Sequence, residues 1–159
     1  MQSSLEPAFI HPGLPERIIY FTGVIALECA ALDFIVSLLD GSNRSLPYDE
    51  VTKTVLPEDT RRKTERCIKA AHDEELAKAL AEIPEILALR NVYLHSLAVS
   101  ETPFGAATDT IVFRGKHQNL PPSRSEPALT ALRDRIGNVN AVLLKHITGY
   151  GYIRHVTSF

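Results

Sequence analysis

The sequence predicts an all-α protein, an up-and-down bundle of four to five helices with a small β-hairpin following the helix that carries the motif described below. Two observations predict it: long runs in which apolar residues recur every three or four positions between capping residues, and a single switch to β-rich alternation between positions 97 and 115. At 159 residues, 45% hydrophobic and 23% charged, the chain has the size and make-up of one globular domain, residues 1–159, and is neither fibrous nor disordered in composition.

Taken in order, Pro7, Pro12, Gly13 and Pro15 punctuate a surface leader over residues 1–15, and Pro15-Glu16 opens the first helix where a missing N–H costs nothing. From Arg17 to Leu39, Ile18, Phe21, Val24, Ile25, Leu32, Ile35, Leu38 and Leu39 recur at helical spacing, and Gly41-Ser42-Asn43 supplies the stop. The stretch Ile18 to Leu39 is long enough to span a bilayer. Glu28 and Asp33 sit near its middle, however, and each is costly in hydrocarbon, so it reads as a buried core helix with no membrane contact expected. The first residues lack the basic start and apolar stretch of a signal peptide, which makes a cytoplasmic location the expectation.

Residues 41–59 read as a loop with one short helical turn after Pro47. Asp59-Thr60 caps a second helical segment whose charges outnumber its apolar residues, so it should be half exposed. From Asp73 a third run places Leu76, Leu80, Ile83, Leu87 and Leu94 on or near one helical face. Pro84 removes a backbone hydrogen bond from this run and should kink it or divide it in two. Residues 97–101 and 109–115, the latter carrying Ile111, Val112 and Phe113, are expected to pair across the turn-like PFGAATD. Residues 117–125 form a loop, and Ser125 caps a last helix with Leu129, Leu132, Ile136, Val139, Leu143 and Ile147 at helical spacing. Residues 149–159 form a tail.

The charge is uneven. Residues 1–100 hold ten Lys and Arg against fifteen Asp and Glu, and residues 101–159 hold seven against four, so the C-terminal part is where an anionic ligand should land. Neither part has the dense basic patch of a tight duplex binder, so any nucleic-acid contact should be local. Cys29 and Cys67 each lie in a helical apolar pattern and form no C-x-x-C pair; they read as small buried hydrophobes in a reducing compartment. The phosphate-binding loop, the dinucleotide fingerprint, the nucleophile elbow and H-E-x-x-H are all missing. The six histidines have no short ligand spacing, so neither a zinc site nor any other metal or cofactor is expected.

What remains is LRNVYLHSLA, residues 89–98, with three polar groups inside an apolar stretch. On a helix Asn91 and His95 are i, i+4 neighbours within roughly 40° of each other, and Arg90 reaches that face from its flank. A cation, an amide and an imidazole then share one patch. RNA cleavage by attack of the 2′-OH on the adjacent phosphate needs a proton carrier near neutral pH, which a histidine supplies. It also needs fixed positive charge on the transition state, which an arginine fork supplies, and Asn91 can orient either partner. Glu28, an acid in the apolar first helix, wants a cation if buried, so a Glu28–Arg90 pair is expected, holding the arginine from behind. Arg61, Arg62 and Lys63 read as a solvated helix face, Arg133, Arg135 and Lys145 as solubilising charge or an extended RNA path, and Tyr150 and Tyr152 as tail packing or stacking rings for bases.

Arg90-Asn91-Val92-Tyr93-Leu94-His95, R-N-x-x-x-H, resembles the R-x4-6-H signature of HEPN domains (higher eukaryotes and prokaryotes nucleotide-binding), in which a polar residue, often Asn, follows the arginine. A long apolar first helix, a charged second one and a small residue, Ser96, directly after the histidine fit the same pattern, and the likeness covers roughly residues 16–148. It implies an α-helical bundle, a homodimer whose two motifs face each other across the interface and, in active members, metal-independent endoribonuclease activity with Arg90 and His95 as the catalytic pair and Asn91 in support. Two readings stand. One is a HEPN-type ribonuclease acting on RNA, as a toxin or defence component would. The other is a non-catalytic dimeric helical module that binds a nucleotide or a partner protein of the antitoxin kind. Only the first needs Arg90 and His95 exposed in a shared groove, and RNA cleavage that persists in chelator.

Overall fold

A helix that is apolar nearly all round must be surrounded, and α1 (Glu16–Asn43) is the axis of the molecule for that reason. In the computed structural model, which describes residues 16–95, 97–100, 111–114 and 125–149, Ile25, Cys29, Leu32, Ile35, Val36 and Leu39 of α1 are buried beneath three other helices. α1 continues through Gly41-Ser42-Asn43, where the sequence suggested a stop. The chain turns two residues later, with Ser45 in the left-handed region at φ 54° and the Leu46 amide donating to the Gly41 carbonyl at 2.9 Å.

The turn expected after Pro47 is present as α2 (Tyr48–Glu50), which runs directly into a π-helical turn, Val51–Val55, closed by the Leu56 amide donating to the Val51 carbonyl at 2.9 Å. Its Val51 and Val55 side chains pack with Leu38 and Phe34 on the outward side of α1. α3 (Thr60–Ala70) starts as expected at Asp59, whose carboxylate accepts from the Arg61 amide at 2.9 Å.

Asp73 likewise caps α4 (Glu74–His95), accepting from the Leu76 amide at 2.9 Å. Leu76, Leu80, Ile83 and Leu87 are buried as the spacing predicted. Of the two outcomes expected at Pro84, a kink or a division, the division does not occur: α4 is one helix of 22 residues with Pro84 inside it. Pro84 points outward while Ile83, Ile86 and Leu87 on either side are packed into the core, so their burial outweighs one missing backbone bond. The hairpin forms where it was expected. β1 (Leu97–Ser100) and β2 (Ile111–Arg114) are antiparallel with Leu97 opposite Arg114 and Ser100 opposite Ile111, and β2 lies against α4.

α5 (Ser125–His146) buries Leu129, Leu132, Ile136, Val139 and Leu143 against α1 and α4. Arg135 and Lys145 reach Glu82, Glu85 and Glu75, so α5 is antiparallel to α4. Arg133 over the Phe21 ring and Ser42 bonded to Thr148 show α5 running alongside α1 in the same direction. The chain therefore alternates in direction, up, back, up, down and up. All the described helices except α2 and the π turn contribute to one core.

Candidate functional site

Arg90 follows Ile83 and Leu87 at steps of four and three, so it continues the buried stripe of α4 toward the hairpin end of the helix. Its stem is half-buried, and the guanidinium bends back onto the neighbouring side chain. Nη2 donates to Asn91 Oδ1 at 2.7 Å and Nε donates to the same oxygen at 3.1 Å. This fork on a neutral acceptor fixes the guanidinium plane without neutralising its charge. Among the described residues no carboxylate lies within ion-pair distance of Arg90, in contrast to Arg66, Arg133, Arg135 and Lys145, each of which is paired with acid. His95 ends α4, one helical turn beyond Asn91, and its side chain lies outside the described residues.

The expected pair between Glu28 and Arg90 is not made. Glu28 instead accepts from Asn140 Nδ2 at 3.4 Å across the α1–α5 seam. The opposite atom of that amide, Asn140 Oδ1, is buried with no hydrogen-bond partner among the described residues. α1 and α5 are in such close contact here that the acid finds α5 first. Glu28 also lines an open cleft of about 350 Å³ with Tyr20, Val24, Arg133, Asp134, Gly137 and Asn138. The Arg90 charge is felt elsewhere. Burial pushes the Cys29 thiol up to about 11, the nearby Arg90 guanidinium works against that rise, and Glu28 adds to it. Burial raises Cys67 to about 12. Both thiols are free, buried and protonated near neutral pH, so neither is a nucleophile.

The basic candidates separate clearly. Arg61 and Arg62 are exposed, as a solvated face would be, but Lys63 is fully buried. Its ammonium donates to Asp33 Oδ1 at 2.7 Å, Ser37 Oγ at 2.9 Å and the Leu56 carbonyl at 3.3 Å. One helical turn on, Arg66 forks onto Asp40 and reaches Glu58 at 2.8 Å. These ions clamp α3 to α1. The one sequence signal for Lys63 was its i, i+4 spacing to Cys67 on the apolar side of α3. Arg133, Arg135 and Lys145 are neutralised by acids of α5 and α4, which argues for solubilising charge and not for an RNA path. Tyr150 and Tyr152 lie outside the described residues.

One further group brings together residues far apart in sequence. Ligand atoms of Asp73, Glu75 and His146 lie within 4.8 Å of one another where α4 begins and α5 ends. Asp73 Oδ1 is also the cap of α4, and Glu75 is held by Lys145 at 3.1 Å, so these are first of all pairing groups that staple two helix ends. Comparison with family profiles, curated proteins and solved structures finds no match to this chain.

Proposed function

We propose that the protein is a metal-independent endoribonuclease of the HEPN type, working in the cytoplasm as a homodimer, with Arg90, Asn91 and His95 as its catalytic group. The observation that supports this most directly is the Arg90 fork: a cation held by the Asn91 amide, with no acid beside it among the described residues, and with that amide one helical turn before a histidine. Two of the five guanidinium N–H groups are used on Asn91, which leaves three for the non-bridging oxygens of a phosphate. In this reading His95 takes the proton from the 2′-OH as it attacks the adjacent phosphorus. The 5′-oxygen leaves with the proton that His95 took, returned to it directly or through water, and a 2′,3′-cyclic phosphate remains. Arg90 stabilises the added negative charge as it develops, and Asn91 keeps the guanidinium plane in place for it. A role as a toxin or defence nuclease, restrained by an antitoxin-like partner, fits such an activity.

The test is to incubate the purified protein with mixed RNAs in EDTA beside His95→Ala and Asn91→Asp. Asn91→Asp is informative because it keeps the shape of the group and neutralises Arg90. Cleavage should persist in chelator and be lost in both variants. A second reading is favoured by a different observation, the uncovered apolar side of α1 with Tyr20 and Leu27 exposed: a non-catalytic dimeric module that binds a partner protein or a nucleotide. Cleavage by the wild type that His95→Ala does not reduce would favour that module.

A further inference from the structure

Glu28 stands midway along the apolar α1 and is paired with no cation among the described residues; its carboxylate accepts instead from Asn140 Nδ2 at 3.4 Å. Asn140 is a core residue, 7% exposed, whose Oδ1 has no partner among the described residues. A buried amide thus leaves one end unmatched while the other holds a carboxylate at the edge of a cleft. That cleft, of about 350 Å³, lies between α1 and α5 and is at the small end of the roughly 300–1,000 Å³ usual for ligand sites. On the α1 wall Tyr20 is 66% exposed, its ring held edge-on to Phe21 with centroids 5.7 Å apart. On the α5 wall Gly137 and Asn138 are exposed, and a Cβ added at Gly137 would meet nothing within 4 Å, so this wall is open to a flat group. Arg133 is already used, with Nη2 on Asp134 at 2.7 Å and its guanidinium over the Phe21 ring.

We infer that this cleft takes a guanine base, stacked on Tyr20 with its N1–H and 2-amino N–H donating to the Glu28 carboxylate. The inference rests on the ribonuclease reading for the source of the base, a guanine of the RNA strand cut at Arg90; a free guanosine nucleotide carries the same chemistry. Three features favour guanine. A carboxylate only accepts, and Asn140 Nδ2 on Oε2 leaves Oε1 and a second lone pair of Oε2 for two parallel donors. The pairing edge of guanine offers two adjacent donors, whereas adenine, cytosine and uracil each set an acceptor beside their donor, which would face a carboxylate oxygen. The Tyr20 ring can stack on any base, so the ring supplies affinity and the acid supplies the choice. Charge then decides which part of a nucleotide enters. A phosphate is repelled by Glu28 and Asp134, and an ammonium or guanidinium ligand meets Arg133 on the α5 wall, while a neutral base with paired donors meets neither obstacle. Arg90, with no acid beside it among the described residues, has the opposite preference and suits the phosphate. Glu28 and Arg90 both act on the Cys29 thiol, so the acid and the fork belong to one region of the bundle.

The test is calorimetric titration of the full chain with guanosine, adenosine and guanosine 5′-monophosphate, for wild type, Glu28→Gln, Tyr20→Ala and, as control, Glu74→Gln at the exposed start of α4, together with mapping of the cuts each protein makes in mixed RNA in EDTA. Circular dichroism and melting curves establish that each variant is folded. Wild type and Glu74→Gln should bind guanosine about tenfold or more tighter than adenosine. Glu28→Gln should lose that preference and turn toward adenosine, because an amide donates as well as accepts, and a merely structural Glu28 would not move the choice of base. Tyr20→Ala should weaken both nucleosides alike. Cuts beside guanine that lose their base preference in Glu28→Gln would support RNA as the source. Binding of guanosine and its monophosphate that depends on Glu28, without cleavage by wild type, would support the cleft with a free nucleotide as the source and defeat the ribonuclease reading alone. A wild type that binds guanosine no better than adenosine, or a Glu28→Gln protein with the preference unchanged, would overturn the inference, and RNA cleavage by that same wild type would leave the ribonuclease reading intact.

Discussion

Asp33→Ala should be among the most damaging single changes in the protein, although Asp33 is itself about one-third exposed. Lys63 is fully buried, and its three N–H groups are matched by three acceptors, of which Asp33 alone is charged. Removing Asp33 leaves a buried ammonium facing Ser37 and a carbonyl, a loss of about 3–5 kcal/mol. A domain of this size has about 5–15 kcal/mol in total. Lys63→Met should cost less, about 1–2 kcal/mol, because the thioether chain refills the site while Asp33, on the surface side, turns to water and keeps its bond from Thr60 at 2.6 Å. The double variant should then fall near Lys63→Met alone, so the two losses should fail to add by about 2 kcal/mol or more. Urea unfolding followed by circular dichroism measures all three. Additive losses, or an Asp33→Ala variant as stable as wild type, would mean that Asp33 does not hold the Lys63 ammonium and that Lys63 is hydrated or sheds its proton instead.

Four other outcomes are expected. Pro84→Ala should stabilise the protein by about 1–3 kcal/mol, since Pro84 is an outward-facing helix-interior proline; an unchanged urea midpoint would show that α4 has adapted to it fully. Arg90→Ala and Glu28→Gln should give additive stability changes because Glu28 bonds to Asn140 and not to Arg90; a coupling of 1 kcal/mol or more would reinstate the pair. Both thiols have folded-state values above the ordinary 9.0, about 11 for Cys29 and about 12 for Cys67, so their contribution is present below pH 9 and is lost as pH rises through 11 to 12. Melting temperatures over that range should therefore fall less steeply in a Cys29→Ala, Cys67→Ala protein, and parallel curves would count against burial as the cause. Asn91→Asp should keep the fold and lose RNA binding, read by filter retention at low salt, because the new carboxylate would neutralise the Arg90 fork.

The helices were legible because their apolar residues repeat at helical spacing, and the hairpin because Ile111, Val112 and Phe113 break that spacing after a turn. Pro84 does not divide α4, because local propensity says nothing about the packed Ile83, Ile86 and Leu87 beside it. Lys63 was hidden in a charged run that reads as surface, although its spacing to Cys67 marked the inward side of α3. At the candidate site the fork between Arg90 and Asn91 follows from adjacency, and a sequence does show that. Which partner Glu28 takes depends on which helix lies across from it, and α5 brings Asn140 there from more than a hundred residues away. The grouping of Asp73, Glu75 and His146 was invisible for the same reason. The apolar make-up of α1 was present in the sequence, but only the packing shows that, among the described residues, Phe34 and Leu38 are covered by Val51 and Val55 while Tyr20 and Leu27 are exposed.

The ribonuclease proposal requires that Arg90, Asn91 and His95 cleave RNA without a metal. The most direct measurement is cleavage of a defined single-stranded RNA in excess EDTA, with product ends identified by mass spectrometry, for wild type and a folded His95→Ala variant. Wild type should give 2′,3′-cyclic phosphate and 5′-hydroxyl ends, and His95→Ala no product above background. An intact substrate with wild type, or equal cleavage by both proteins, would contradict it.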